Sequence, residues 1–174
     1  MTSTRRPLPT QKDLEAREAL HAQMVVILNQ LEFSSRYFEY IDAHRSLVQD
    51  FSRRVDRAVV KNMLLRCGLT CTYKARENAF VYEECQEPLC VGYDISVHSC
   101  MIEMGLSFTT ANARTGDPYC VWARDAAEAR DPSFTFEPPW PRLPFDSEAT
   151  LERAIQFGVE LFADARTAFF AAKW

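Results

Sequence analysis

The apolar positions change their period twice along the chain. Leu14, Leu20, Met24, Ile27, Leu28 and Leu31 recur at helical spacing, the stripe of an amphipathic helix. Thr10 stands just before it, with Asp13 and Glu15 following. A hydroxyl N-cap followed by carboxylates suits a helix start. The spacing predicts a first helix of about 20 residues. Phe33-Ser34-Ser35 interrupts it. Tyr37, Ile41, His44, Val48, Phe51, Val55 and Val59 then repeat every three or four positions. Gly68 stands where a helix ends on a left-handed residue. A second helix is therefore predicted over 35–66. Its short connection to the first predicts an N-terminal helical hairpin.

Beyond Gly68 the period falls to two. Leu69, Cys71, Tyr73 and Ala75 alternate with polar residues, and Arg76-Glu77-Asn78 reads as a turn into a strand at Phe80–Glu83. Val91, Tyr93, Ile95 and Val97 alternate, as do Ile102, Met104, Leu106 and Phe108. The stretch 110–118 holds Asn112, Thr115, Gly116 and Asp117 and reads as a loop. Tyr119–Arg124 follows as a fifth strand. Consecutive short strands predict a central antiparallel β-meander of about five strands.

Residues 131–144 carry five prolines, which cannot donate hydrogen bonds inside a sheet or helix. They predict an extended strap anchored by Phe134, Phe136 and Trp140, with Phe134–Phe136 as a candidate edge strand. Asp146 and Ser147 then cap a last helix. Leu151, Ile155, Gly158, Phe162, Ala165 and Phe169 form its apolar stripe, widened by Val159, and this helix is expected to pack on the sheet. The fold class is α+β. Residues 1–10 read as a disordered lead-in and 11–174 as a single domain, with no internal repeat.

Composition agrees with that picture. The chain has 174 residues and is 47% hydrophobic, with 12 Phe, 6 Tyr and 3 Trp for its core, enough for one domain. Five glycines argue against a glycine-rich phosphate loop. A formal charge of −4 and a pI near 5.4 argue against generic nucleic-acid binding, which needs a basic surface. They suit a basic partner. Sixteen of the 20 basic residues are Arg, a composition expected of a GC-rich bacterial genome. No apolar leader precedes the first helix. The longest apolar run, Met24–Leu28, falls far short of the roughly 20 residues of a membrane span. A cytoplasmic location is expected.

Few residue patterns carry chemistry. Cys67/Cys71 and Cys85/Cys90 lack the CxxC knuckle of a zinc site, and all six cysteines are expected as reduced, buried thiols. His98 and Cys100 are the nearest approach to a base and a nucleophile. On an unbroken strand they would stand about 7 Å apart, too far for a hydrogen bond. His44 and His21 have no partners visible in the sequence. Glu83, Glu84, Glu87 and Asp94 form an acidic patch. Lys12, Lys61, Lys74 and Lys173 do not complete a nuclease-like spacing around it. Arg53, Arg54 and Arg57 interleave with Asp50 and Asp56 and read as a salt-bridged helix face. Aromatic residues outside the simple stripes, Trp140 among them, are the kind that anchor interfaces.

No catalytic residue, metal site or cofactor is expected. The pattern points to a small bacterial protein-binding module, foremost an immunity protein that occludes a cognate toxin. Glu83, Glu84, Glu87, Asp94 and Trp140 are its candidate binding residues, and a basic toxin or effector is the expected partner. Nucleic acid and membrane are not expected. The competing readings are a secretion chaperone or adaptor, a homodimer built on the aromatic surface, and an enzyme with a site near His98/Cys100.

Overall fold

The structure is a computed structural model that describes residues 9–47, 52, 54–139 and 141–174. Helix α1 (Gln11–Gln30) starts at a capping box. Thr10 Oγ1 accepts from the Asp13 N–H at 3.3 Å, and the Asp13 carboxylate accepts from the Thr10 N–H at 2.8 Å. Leu31 and Glu32 turn the chain into α2 (Phe33–Ala43), with Glu32 in the left-handed region at φ 54°. Residues 1–8 of the lead-in, Trp140, and Val48, Asp50, Phe51 and Arg53 lie outside the described residues.

Among the described residues, the helix expected over 35–66 is two helices. The first, α2, stops at its C-cap His44, and α3 (Arg57–Arg66) restarts where Asp56 accepts from the Ala58 N–H at 2.7 Å. Apolar spacing alone carried the expectation through Ser46, Ser52 and Asp56, residue types that favour caps and turns over helix interiors. Gly68 ends α3 as read, at φ 83°. Its N–H donates to Leu65 O and that of Leu69 to Leu64 O, the bonds of a left-handed cap.

The sheet is an antiparallel meander in the order β1 (Thr72–Lys74), β2 (Ala79–Gln86), β3 (Leu89–His98), β4 (Met101–Thr109) and β5 (Arg114–Pro118). A sixth strand, β6 (Leu143–Pro144), pairs with the beginning of β4. Two expectations are corrected here. Tyr119–Arg124 is the first half of helix α4 (Tyr119–Arg130), and the fifth strand lies in the stretch read as a loop. The Tyr-Cys-Val-Trp run has strand propensity, but Trp122, Ala123, Ala126 and Ala127 recur at helical spacing and are buried together. Tertiary burial overrode local propensity. Likewise Phe134–Phe136 is no strand. Both rings pack on Phe38 instead, with centroids 5.0 and 4.4 Å away.

The last helix, α5 (Glu148–Ala171), is capped by Ser147, which accepts from the Thr150 N–H. Its stripe of Leu151, Ile155, Gly158, Val159, Phe162, Ala165 and Phe169 is buried throughout. One face of the sheet supplies Val91, Tyr93, Ile95, Ile102, Met104, Leu106 and Phe108 to the same core. Gly158 makes the closest approach. A side chain there would run into Met104 of β4. Among the described residues no helix is long and apolar enough to cross a membrane.

Candidate functional site

The helices cover one face of the sheet, and side chains alternate along a strand. The other face therefore carries Val81, Glu83 and Cys85 of β2, Cys90, Gly92, Asp94 and Ser96 of β3, Glu103, Gly105 and Ser107 of β4, and Gly116 of β5. The register lines these up in rows. Glu83 pairs with Gly92, Gly92 with Ser107, and Ser107 with Gly116. The next row runs Val81, Asp94, Gly105 and Pro118.

Three of the five glycines thus sit on adjacent strands of this open face. Glycine inside a strand weakens it, and it marks a bulge or a close approach by another group. Here two local occupants account for part of the space. A Cβ on Gly105 would stand 2.5 Å from Asp94 Oδ2, and one on Gly116 would stand 2.8 Å from Ser107 Cβ. What remains is a hollow of about 470 Å³, floored by Gly105, Ser107 and Gly116 and walled by Asp94, Glu103 and Arg114.

The hollow's charges are unevenly satisfied. Glu103 is paired with Arg142 at 2.8 Å. Asp94 has no cation within 4.0 Å among the described residues. Packing of its carboxylate raises its pKa above the ordinary value, and the neighbouring carboxylates Glu103 and Glu77 add to the rise against a smaller opposing pull from Lys74. Asp94 still reaches solvent. It is a carboxylate in want of a cation.

The predicted acidic patch divides between the two faces. Glu83 and Asp94 share the open face, and Glu87 stands exposed in the β2–β3 turn. Glu84 points to the helix side. There it is 3.2 Å from Arg166 of α5 and accepts from the Tyr82 hydroxyl at 3.0 Å. The period of two separates neighbours in sequence, so Glu84 is a structural ion pair. Trp140 lies outside the described residues.

His98 and Cys100 also separate. Ser99, at φ 52°, turns the chain into β4. Cys100 is fully buried, while His98 is exposed with Nε2 3.1 Å from Ser96 Oγ. The structure does not bring this thiol to the surface. His44 bonds through Nδ1 to Tyr40 O at 2.8 Å. No group of three or more metal-ligating side chains occurs among the described residues.

The cysteine expectation needs correction. Cys85 and Cys90 face each other across β2 and β3 and form a disulfide, with Cα atoms 4.1 Å apart. Hairpin register brought together two residues whose sequence spacing had no meaning by itself. Cys67, Cys71, Cys100 and Cys120 are not in disulfides. Burial pushes Cys71 up to about 11, so it is no ready nucleophile.

One polar node went unseen in the sequence. His21 of α1 stands 3.0 Å from Asp125 of α4 through Nε2, 3.3 Å from Thr115 Oγ1 of β5 through Nδ1, and 3.7 Å from Asp117. Burial raises the Asp117 pKa, and His21 and Arg17 oppose the rise. Thr115 is 2% exposed, and the Asp-His-Thr chain ties α1, α4 and β5 together as a brace between elements. Its members lie 94 and 104 residues apart in sequence, and no local signal joins them.

The chain matches no protein-family model, no curated protein and no solved structure.

Proposed function

We propose that this chain is a protein-binding module that receives a basic segment of its partner on the open face of the sheet. The observation that carries the reading is the glycine-floored hollow with Asp94 at its wall. A hollow floored by Gly105 and Gly116 admits a partner's long side chain. Asp94, Glu83 and Glu87 lack cation partners among the described residues, and they favour a lysine or arginine from outside. The formal charge of −4 speeds the approach of a basic protein. In its most specific form this is an immunity protein of the bacterial cytoplasm that neutralises a toxin by covering it. The Cys85–Cys90 bridge pulls the other way on location, since such bonds persist mainly in oxidising compartments.

The test is recovery of partners from the native host with the wild-type chain and with a Glu83→Arg/Asp94→Asn variant. A stoichiometric basic protein that crosslinks to β3 and β4 of the wild type and is lost with the variant supports the reading. Equal recovery by both chains, or crosslinks confined to the helical side, overturns it.

A further inference from the structure

The basic pair Arg54/Arg57 and the exposed His98 are 41 or more residues apart in sequence and meet around one hollow. It has a volume of about 380 Å³ and lies where the start of α3 meets the β1–β3 end of the sheet. Its polar lining is Arg54, Arg57, Tyr73, Asn78, His98 and Ser99. The Arg57 guanidinium lies over the Tyr73 ring, 4.5 Å from its centroid. Tyr73 is itself held by its hydroxyl, which donates to Asn78 Oδ1 at 2.7 Å. Stacking of this kind fixes the plane of a guanidinium and leaves its edge donors available.

Neither arginine is within 4.0 Å of a carboxylate among the described residues. Asp56 is close in sequence, but its carboxylate is committed to capping α3 at the Ala58 N–H. His98 uses Nε2 toward Ser96 and has Nδ1 without a partner among the described residues. Asp50 and Arg53, the other members of the cluster read as a salt-bridged helix face, lie outside the described residues. Arg54 precedes α3, and both arginines line the same hollow as His98 of β3.

We propose that this hollow binds the phosphate group of a small phosphate monoester. Two guanidiniums match a dianion with three terminal oxygens better than a carboxylate, whose two oxygens occupy one fork. The volume suits a small ligand. The acidic chain as a whole lacks the extended basic surface that a nucleic acid needs. The site is at the opposite edge of the sheet from the glycine-floored hollow, so this proposal and the protein-docking reading stand or fall separately.

The experiment follows backbone amide shifts of the full chain while inorganic phosphate is added, then repeats it with phenyl phosphate and with acetate. Saturable shifts confined to 54–57, 73, 78 and 98–99 are expected. Phenyl phosphate binds at least as well as inorganic phosphate, and acetate about tenfold more weakly. Arg54→Ala/Arg57→Ala weakens phosphate binding by about tenfold or more, and Arg153→Ala leaves it unchanged. Should the double variant fail to fold, Arg57→Lys keeps the charge, loses the stacked fork and still weakens binding severalfold. Shifts elsewhere in the chain, binding unaltered in the arginine variants, or equal affinity for acetate would overturn the proposal. So would an oligonucleotide or phosphoserine peptide that displaces phenyl phosphate through contacts beyond the hollow.

Discussion

The His21 imidazole stacks on the Trp122 indole with ring centroids 4.3 Å apart and an interplanar angle of 16°. Trp122 is fully buried and donates through Nε1 to Leu106 O at 3.2 Å, so the histidine rests on a fixed platform. With a proton on Nε2 alone, the ring donates to Asp125 and accepts at Nδ1 from the Thr115 hydroxyl. Three elements, α1, α4 and β5, are joined at one side chain.

His21→Ala removes the stack and the ring's bonds to Asp125 and Thr115. It is expected to lower stability by about 2 kcal/mol, from the lost stacking and hydrogen bonds. Asp125→Asn keeps an acceptor for Nε2–H and should cost less. Urea unfolding of the two variants checks the order. Equal loss from both would mean that the ring's platform contact contributes nothing.

Asp94 sets a pH dependence whose sign follows from its raised pKa. The folded state holds the proton more tightly than the unfolded chain, so ionised Asp94 opposes folding. Its unfavourable contribution is full above the folded-state pKa. It declines as pH falls through that pKa and is gone below the ordinary value of 3.8. Asp94→Asn should therefore raise the melting temperature at neutral pH, with the gain shrinking on acidification through this window. A gain that persists at pH 3, below that ordinary value, would exclude titration of Asp94 as its cause.

Two buried tyrosines should respond oppositely to loss of their hydroxyls. Tyr119 donates to Gly158 O at 2.8 Å, tying α4 to α5, whereas the buried Tyr93 hydroxyl has no partner among the described residues. Tyr119→Phe is expected to cost about 1–2 kcal/mol. Tyr93→Phe removes an unpaired buried polar atom and should be neutral or stabilising. Thermal melts of both variants in one buffer make the comparison, and a large loss in Tyr93→Phe would reveal a bond to bound water.

The Cys85–Cys90 bridge closes the β2–β3 hairpin. Closing so short a loop restricts the unfolded chain modestly, so Cys85→Ser/Cys90→Ser should cost about 2 kcal/mol. The protein should still fold, because the remaining β2–β3 pairing from Phe80 to Val91 does not depend on the bridge. Denaturant midpoints with and without a dithiol reductant should show the same difference in the wild type.

Packing against the sheet, not conformational preference, explains Gly158. Alanine is the better helix former by about 1 kcal/mol, yet its methyl would meet Met104. Gly158→Ala should destabilise, and Gly158→Ala/Met104→Ala should recover part of the loss relative to Met104→Ala alone. Additive losses measured by chemical denaturation would count against a direct clash.

Much of the architecture is legible in the residues because it rests on local periodicity. The α5 stripe and its Ser147 cap, the Thr10 capping box, Gly68, and the alternation of β3 and β4 are all readable within a few turns or strand residues. The errors share a cause. Spacing carried the second helix across Ser46 to Asp56, and strand propensity at Tyr119–Trp122 lost to burial of the Ala-rich face behind it. Of the candidate site, Glu83 and Asp94 were readable as acids. The glycines beside them were not, because a glycine's meaning depends on which strand lies next to it.

By itself the sequence determined the first and last helices, the strands β1 to β4 and their apolar faces, and that the chain is acidic overall. Those properties depend on neighbours three or four positions away, or two in a strand. Tertiary structure alone decided that Gly105 and Gly116 floor one hollow and that Glu84 faces away from Glu83's partners. It also decided that Cys85 meets Cys90, and that Arg54 and Arg57 line one hollow with His98. Register and packing set those juxtapositions. They join residues across strands and between elements, where sequence distance carries no information about distance in space.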